Sequence, residues 1–195
     1  QALAAQGELE HRDRHVFAIH NKPVPAARGF QCSGDRARLA RRDNISGSDA
    51  FAVCFDTFRD RRTGYYFGVS AAGTQFDGVL LNDSWDDDSW DGVWHARARR
   101  DAQGWTAELK IPFSQMRFGL PESGEAVWGF SVRREIYRKS EEGEWTARPR
   151  GERGNVSRWG HLVFEAPPTP PRRIELLPYA RARHETLDDG TGWHQ

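Results

Sequence analysis

The sequence predicts an all-β protein, an antiparallel β-sandwich, and three observations carry this prediction. Short runs in which apolar and polar residues alternate recur along the chain. Turn-forming residues separate these runs, and no stretch of ten or more residues has the 3.6-residue period of an amphipathic helix. The chain has 195 residues, of which 37% are hydrophobic and 12% aromatic, which suffices for one domain with a real core.

The individual strands are predicted in chain order. The clearest hairpin pairs residues 93–100 with 105–111, because apolar side chains alternate on both sides of a turn at residues 101–104. A single helical turn is predicted at 113–118, where Pro112 ends the hairpin. The acidic stretch between residues 82 and 92 is predicted to be a loop. The predicted strands comprise residues 51–56, 65–70, 74–79, 93–100, 105–111, 126–136, 144–146 and 159–164.

Proline content sets the predicted domain boundaries. We expect a sandwich over residues 14–166, followed by a stiff Pro-rich linker at 167–172. Residues 173–195 contain a strand-like run and are expected to begin a following, truncated domain. No signal peptide can be read, so we expect the chain to be a piece of a longer protein.

Charge and cysteine content exclude some classes of function. The 28 basic and 28 acidic residues give a formal net charge of zero, which argues against nucleic-acid binding. No run approaches the roughly 20 apolar residues of a transmembrane helix. Cys32 and Cys54 have no metal-binding spacing, and we expect them to be free and buried rather than paired.

The most unusual segment is acidic and carries two tryptophans. Six aspartates and no basic residue fall within residues 77–91. Exposed indoles stack on the apolar face of a sugar, while carboxylates accept hydrogen bonds from its hydroxyls. The segment therefore predicts a ligand site formed by Trp85, Trp90, Asp86 and Asp88. The alternative for both indoles is that they anchor the loop. By contrast, alternation on strands predicts that Trp94, Trp105 and Trp128 lie in the core.

The same segment suggests calcium as the one cofactor. Asp87-x-Ser89-x-Asp91-Gly92 has the spacing of the first half of a calcium-binding loop. Arg99 and Arg100 stand where such a loop would place its bidentate glutamate. Two interpretations are therefore open. Asp87 and Asp91 bind Ca²⁺, or the segment is a solvated loop whose carboxylates pair with nearby arginines. We favour the solvated loop.

No catalytic residue is predicted. The chain lacks a Gly-x-Ser-x-Gly elbow, a phosphate-binding glycine loop and a Cys-x-x-Cys pair. Glu108 lies in the middle of a predicted strand, where pairing with an arginine is the ordinary explanation for a carboxylate. We therefore expect the domain not to be an enzyme.

Several short motifs, in order and spacing, resemble a family-nine-like carbohydrate-binding module, a DOMON-like β-sandwich. The variant is the one that precedes an outer-membrane β-barrel of unknown function in Gram-negative bacteria. The match covers roughly residues 40–183. Its pieces are 42–49 (RDNISGSD), 55–57 (FDT), 60–62 (DRR), 82–86 (NDSWD), 90–94 (WDGVW), 104–108 (GWTAE), 111–115 (IPFSQ), 128–130 (WGF), 133–134 (RR), 159–160 (WG) and, for the start of the barrel, 170–173 (PPRR) and 177–179 (LPY).

The resemblance implies a non-catalytic module that binds a glycan or small carbohydrate, within a larger cell-envelope protein linked to carbohydrate catabolism. It implies a location on the periplasmic side of the bacterial outer membrane, with a β-barrel following in the same chain. In this family two aromatic residues grip the sugar. The corresponding places here, residues 42–46 and 152–157, contain no aromatic residue. The alternative function is therefore a structural periplasmic domain of an outer-membrane β-barrel protein that binds no sugar.

Overall fold

The computed structural model describes residues 15–17, 36–101, 104–119, 125–146, 151, 153–164 and 166–170, the first of these by backbone alone. Within these ranges the helical segments are three single 3₁₀ turns, at Phe113–Gln115, Tyr137–Lys139 and Val156–Arg158. No described helix is long and apolar enough to cross a membrane. The strands are β1 (His15–Phe17), β2 (Ala50–Asp56), β3 (Gly64–Ser70), β4 (Gln75–Leu81), β5 (Trp85–Asp87), β6 (His95–Asp101), β7 (Gly104–Pro112), β8 (Ala126–Ile136), β9 (Glu141–Glu144) and β10 (Gly160–Phe164).

The strands form two antiparallel sheets. The smaller sheet has the order β1-β7-β6, and the larger has the order β10-β8-β2-β3-β4-β5. Strands β10 and β9 lie along the same edge of β8. Strand β10 pairs with the N-terminal half of β8, and β9 pairs with its C-terminal half. The larger sheet is strongly curled, like half of a barrel. The prediction of an all-β, sandwich-like fold is confirmed.

The main core lies between the two sheets. Strand β7 contributes Trp105, Ala107, Leu109 and Ile111, which alternate with partly or fully exposed residues as predicted. The larger sheet contributes residues of β2, β3 and β8, including a Trp128 ring whose centroid lies 4.8 Å from that of Phe164. Burial of Trp94, Trp105 and Trp128 confirms that these three indoles are structural.

The other, concave face of the larger sheet carries a smaller apolar cluster that includes Tyr66 and Phe76. Glycines make room for both rings. A Cβ at Gly68 would lie 2.1 Å from Cζ of Phe76, and one at Gly78 would lie 2.3 Å from the Tyr66 hydroxyl. Each ring therefore extends across a neighbouring strand at a residue that has no side chain.

Cys54 lies in the same cluster as a free and fully buried thiol. Burial raises its pKa to about 12, so the sulfur keeps its proton at neutral pH. This confirms the prediction for Cys54, while Cys32 lies outside the described residues.

Two predictions about elements are wrong in detail. The acidic stretch contains a short strand, β5, and the strand predicted at 144–146 is β9, at Glu141–Glu144. Both are acidic strands at sheet edges, where hydrogen bonding to one neighbour suffices and charged side chains prevent pairing with another chain. Their composition gives no β-propensity signal. The linker is described only up to Pro170, and residues 173–195 lie outside the described part, so those boundaries stay predictions.

Candidate functional site: a groove on the concave sheet

An open groove with a volume of about 240 Å³ lies on the concave face of the larger sheet. Strands β9, β8, β2, β3, β4 and β5 all contribute residues to this groove. Asp43 and Ile45 come from the turn before β2. This is possible because the curl of the sheet brings its two edges around a common space. We call this site the groove; its lining residues are Asp43, Ile45, Ala50, Phe51, Ala52, Tyr66, Phe76, Asp77, Asp86, Asp88, Arg133, Arg134, Glu135 and Glu142.

Small residues and two aromatic rings form the floor of the groove. Strand register places Ala52 beside Gly68, and Gly68 beside Phe76, in one row across β2, β3 and β4. The centroids of the Tyr66 and Phe76 rings lie 6.4 Å apart. The lack of bulk in the middle of the sheet thus leaves a depression with an apolar, aromatic surface.

Acidic strands form both sides of the groove. At one edge, β9 places Glu142 directly opposite Glu135 of β8, and Glu142 also accepts a hydrogen bond from Arg133 Nη2 at 2.8 Å. At the other edge, Asp86 of β5 and Asp88, which follows it, line the groove. The aromatic floor therefore lies between two sets of carboxylates.

Burial and like charge act on the ionisable groups here. Burial, and then the charge of Glu142, raise the pKa of Glu135. Burial, and then the charges of Asp86 and Asp88, raise the pKa of Tyr66, so its hydroxyl keeps its proton. The Tyr66 side chain is only 8% exposed, and its hydroxyl has no hydrogen-bond partner among the described residues. The groove thus contains a phenol that can donate to or accept from a ligand.

The structure brings together part of the ligand site predicted from sequence. Asp86 and Asp88 both line the groove. Trp85 is 56% exposed but adjoins Asp86 in β5, so the two side chains lie on opposite faces of the sheet. Trp90 packs on the core side, with its ring centroid 5.4 Å from that of Tyr65 and 5.8 Å from that of Phe67. Trp90 therefore anchors the loop, which was the alternative considered for it.

The two predicted calcium ligands have separate partners. Asp87 accepts hydrogen bonds from the backbone N–H and the hydroxyl of Ser89, which lower its pKa. Asp91 forms an ion pair with Arg42 Nε at 2.9 Å. Among the described residues, the group of carboxylates close enough to share a metal ion is Asp43, Asp77 and Asp91, whose oxygens lie within 4.8 Å of one another.

The guanidinium of Arg42 already supplies positive charge to that group. It donates to the buried Asp77 carboxylate and to the Gly92 carbonyl, and its Nε lies 3.9 Å from Asp43. The backbone N–H of Gly92 also donates to Asp77, at 2.6 Å. We call Arg42, Asp43, Asp77 and Asp91 the Arg42 cluster. Calcium binding by Asp87 and Asp91 stays a prediction.

Sequence reasoning missed most of the groove. Tyr66, Phe76, Arg133, Glu135 and Glu142 are far apart in the chain, and only strand register makes them neighbours. One signal was available: Gly68 and Gly78 interrupt otherwise apolar strands, and a glycine inside a strand often marks a close approach by another group.

No model of a protein family matches this chain, and no curated protein matches it either.

Proposed function

We propose that this domain is a non-catalytic carbohydrate-binding module, part of a larger cell-envelope protein linked to glycan catabolism, and that its ligand lies in the groove. The observation that carries the proposal is the combination in one open depression of the Tyr66 and Phe76 rings with carboxylates on both sides. Aromatic faces accept the C–H face of a sugar, and carboxylates accept hydrogen bonds from its hydroxyls.

The size and the free polar groups of the groove support the same proposal. A volume of about 240 Å³ is just below the range typical of sites for drug-sized ligands, so it suits a ligand of one or two sugar rings. The unpartnered Tyr66 hydroxyl and the Asp86 and Asp88 carboxylates are available to such a ligand. The thiol beneath the floor, Cys54, keeps its proton, in line with a binding role rather than nucleophilic catalysis.

A structural periplasmic domain that binds no sugar is the second candidate, and one observation favours it. Both places where the resembled family carries clamp aromatics are used here to hold the fold together. Arg42 belongs to the Arg42 cluster, while Asn155 and Ser157 donate backbone hydrogen bonds to Asp83 at 2.9 and 2.8 Å. In that case the domain would serve an outer-membrane β-barrel protein without recognising a glycan.

Isothermal titration of the whole chain against a panel of neutral, acidic and amino sugars and their oligomers distinguishes the two candidates. We expect saturable heat with at least one glycan, with or without calcium. Absence of heat with every member of the panel, at millimolar ligand, contradicts the module and supports the structural domain. Glycan binding that is detected only in the presence of calcium would assign Ca²⁺ a role in the site.

Two aromatic substitutions locate the ligand. Phe76→Ala removes part of the groove floor, and we expect it to lower glycan affinity at least tenfold, about 1.4 kcal/mol, as loss of a stacking ring does. Trp85→Ala is the matched control, because that indole lies on the opposite face of β5 from Asp86. If Trp85→Ala abolishes binding and Phe76→Ala does not, the ligand lies on the Trp85 surface and the groove is not the site.

A further inference from the structure

We propose that the groove selects sugars that carry a free, protonated amino group over their neutral and N-acetylated counterparts. This inference rests on the proposed function and specifies the ligand class of the same site. It follows from the charge balance, the unpartnered groups and the aromatic surface of the groove.

The lining of the groove is strongly acidic. Its lining residues include six with a carboxylate and two arginines, but alternation along β4 and β8 places the Asp77 and Arg134 side chains on the face opposite to Phe76 and Arg133. One of the two guanidinium groups, that of Arg133, is already paired with Glu142. Within the Arg42 cluster, Asp77 and Asp43 likewise have Arg42 as their partner. The chain as a whole has no net charge, so this excess of negative charge is local to the groove.

Three carboxylates of the groove have no cation within ion-pair distance in the described part of the chain, and the charge of Arg133, which is paired with Glu142, acts on Glu135 only from farther away. Asp86, Asp88 and Glu135 form no hydrogen bond or ion pair with the described residues. Glu135 even stands directly opposite Glu142 across the β8–β9 pair. Like charges directly opposite each other destabilise a sheet, so the arrangement disfavours the empty groove and favours one that holds a cation.

The Tyr66 side chain gives independent evidence for a ligand. More than nine-tenths of it is buried, yet its hydroxyl lines the groove without a hydrogen-bond partner in the described part of the chain. Its ring and that of Phe76 face the space that the carboxylates surround. A cation in front of an aromatic face gains cation–π attraction, which is strongest for ammonium-type groups in partly desolvated sites.

A primary ammonium group on a sugar matches all these features. It has three N–H donors, which Asp86, Asp88 and the oxygen of Tyr66 can accept, and it brings the missing positive charge. A neutral sugar can use the same acceptors but leaves the carboxylates without a counter-charge. An acidic sugar would add to the repulsion.

Three β-1,4-linked trimers test the inference, because they differ only at carbon 2: glucosamine, N-acetylglucosamine and glucose. Titrations at about pH 6, below the usual pKa of a primary amine, keep the amino groups charged. We expect the glucosamine trimer to bind at least tenfold more tightly than either of the others. We also expect its affinity to fall as salt is raised, because screening weakens charge attraction.

A double substitution assigns the selectivity to the groove. Asp86→Asn with Asp88→Asn should lower affinity for the glucosamine trimer at least tenfold and leave the neutral trimers almost unchanged. Glu108→Gln is the matched control, because Glu108 is an exposed carboxylate on β7 in the smaller sheet. It should change none of the three affinities.

The outcomes separate the two proposals. Equal affinity for all three trimers, or preference for a neutral one, overturns the amino-sugar inference and leaves the binding module standing. Equal loss with Glu108→Gln also overturns the inference, since the preference would then reflect overall charge. Absence of binding by every glycan overturns the proposed function, and the inference with it.

Discussion

In the described part of the chain, the Arg42 cluster and the open carboxylates of the groove differ in whether a nearby cation is paired with them. In the Arg42 cluster, one guanidinium donates to the buried Asp77 and pairs with Asp91, so a cation within the fold offsets part of the charge of the three carboxylates. In the groove, Asp86, Asp88 and Glu135 face an open space without such a partner. The first cluster therefore holds loops together, whereas the second is where we propose that a ligand binds. An acidic stretch in a sequence does not reveal which of these it will be.

The largest change in the free energy of unfolding is expected when the guanidinium of the Arg42 cluster is removed. Among the described residues, Arg42→Ala leaves the fully buried Asp77 carboxylate with the Gly92 N–H as its hydrogen-bond donor, because the guanidinium donors are lost. We expect the free energy of unfolding to fall by about 2–4 kcal/mol, the usual cost of leaving a buried charge unpaired. Urea denaturation measures it.

A partner substitution and calcium sharpen that result. Arg42→Ala combined with Asp77→Asn should recover part of the lost stability, because no buried charge is then unpaired. Millimolar Ca²⁺ should raise the Tm of Arg42→Ala more than that of the unsubstituted protein, since the Asp43, Asp77 and Asp91 oxygens are close enough to share an ion. If calcium raises the Tm of the wild type as much as that of Arg42→Ala, the Arg42 guanidinium does not supply the positive charge that the ion would replace.

Asp83 is a second internally satisfied carboxylate, and its removal should have an intermediate effect. It accepts hydrogen bonds from the backbone N–H groups of Asn155 and Ser157 and from the Ser157 hydroxyl. Burial opposes ionisation, but these hydrogen bonds outweigh it and lower the pKa of Asp83. Asp83→Ala should cost about 1–3 kcal/mol at neutral pH, because the loop before β10 loses its attachment.

The pH dependence of that loss distinguishes the charge from simple packing. A carboxyl group whose pKa is lower in the folded state stabilises fully above its unfolded value of about 3.9 and loses that effect as the pH falls through the folded pKa. The difference between wild type and Asp83→Ala should therefore be constant from neutral pH to about pH 5 and shrink in stronger acid. A difference that does not depend on pH would contradict the role of the ionised group.

The smallest change in stability is expected in the groove, where a substitution should stabilise the protein instead of destabilising it. Burial and Glu142 raise the pKa of Glu135, so its ionised form destabilises the folded state. Glu135→Gln should raise the free energy of unfolding by about 0.2–1 kcal/mol at neutral pH. This gain is full above the folded pKa and disappears as the pH falls below the unfolded value of about 4.3, where both states are protonated.

Glu141→Gln is the control for this effect. Glu141 is exposed on the neighbouring strand β9, and its carboxylate lies 3.7 Å from Lys139 Nζ, so its neutralisation should give no gain in stability. A loss of stability in Glu135→Gln would mean that Glu135 has a favourable role in the fold, and the contrast between the two acidic clusters would fail.

The strands and the core were predictable because they depend on local alternation. The β6–β7 hairpin shows this well, since Trp105, Ala107, Leu109 and Ile111 are buried in the alternating order that the sequence carries. The acidic edge strands β5 and β9 were not predictable as such, because their hydrogen bonds come from a neighbour and not from side-chain propensity. Asp86 and Asp88, two of the four residues predicted to bind a ligand, both line the groove, and their binding of a ligand stays a prediction.

The sequence by itself determined the fold class, the core indoles and the position of an acidic segment, because each depends on residues close together in the chain. Only the tertiary structure decided what those acids do. Strand register and the curl of the larger sheet bring Tyr66, Phe76 and Glu135 around Asp86 and Asp88. The same fold brings Arg42 to Asp77, 35 residues away, and so gives one acidic cluster a cation of its own, while the carboxylates of the groove stay open to the solvent.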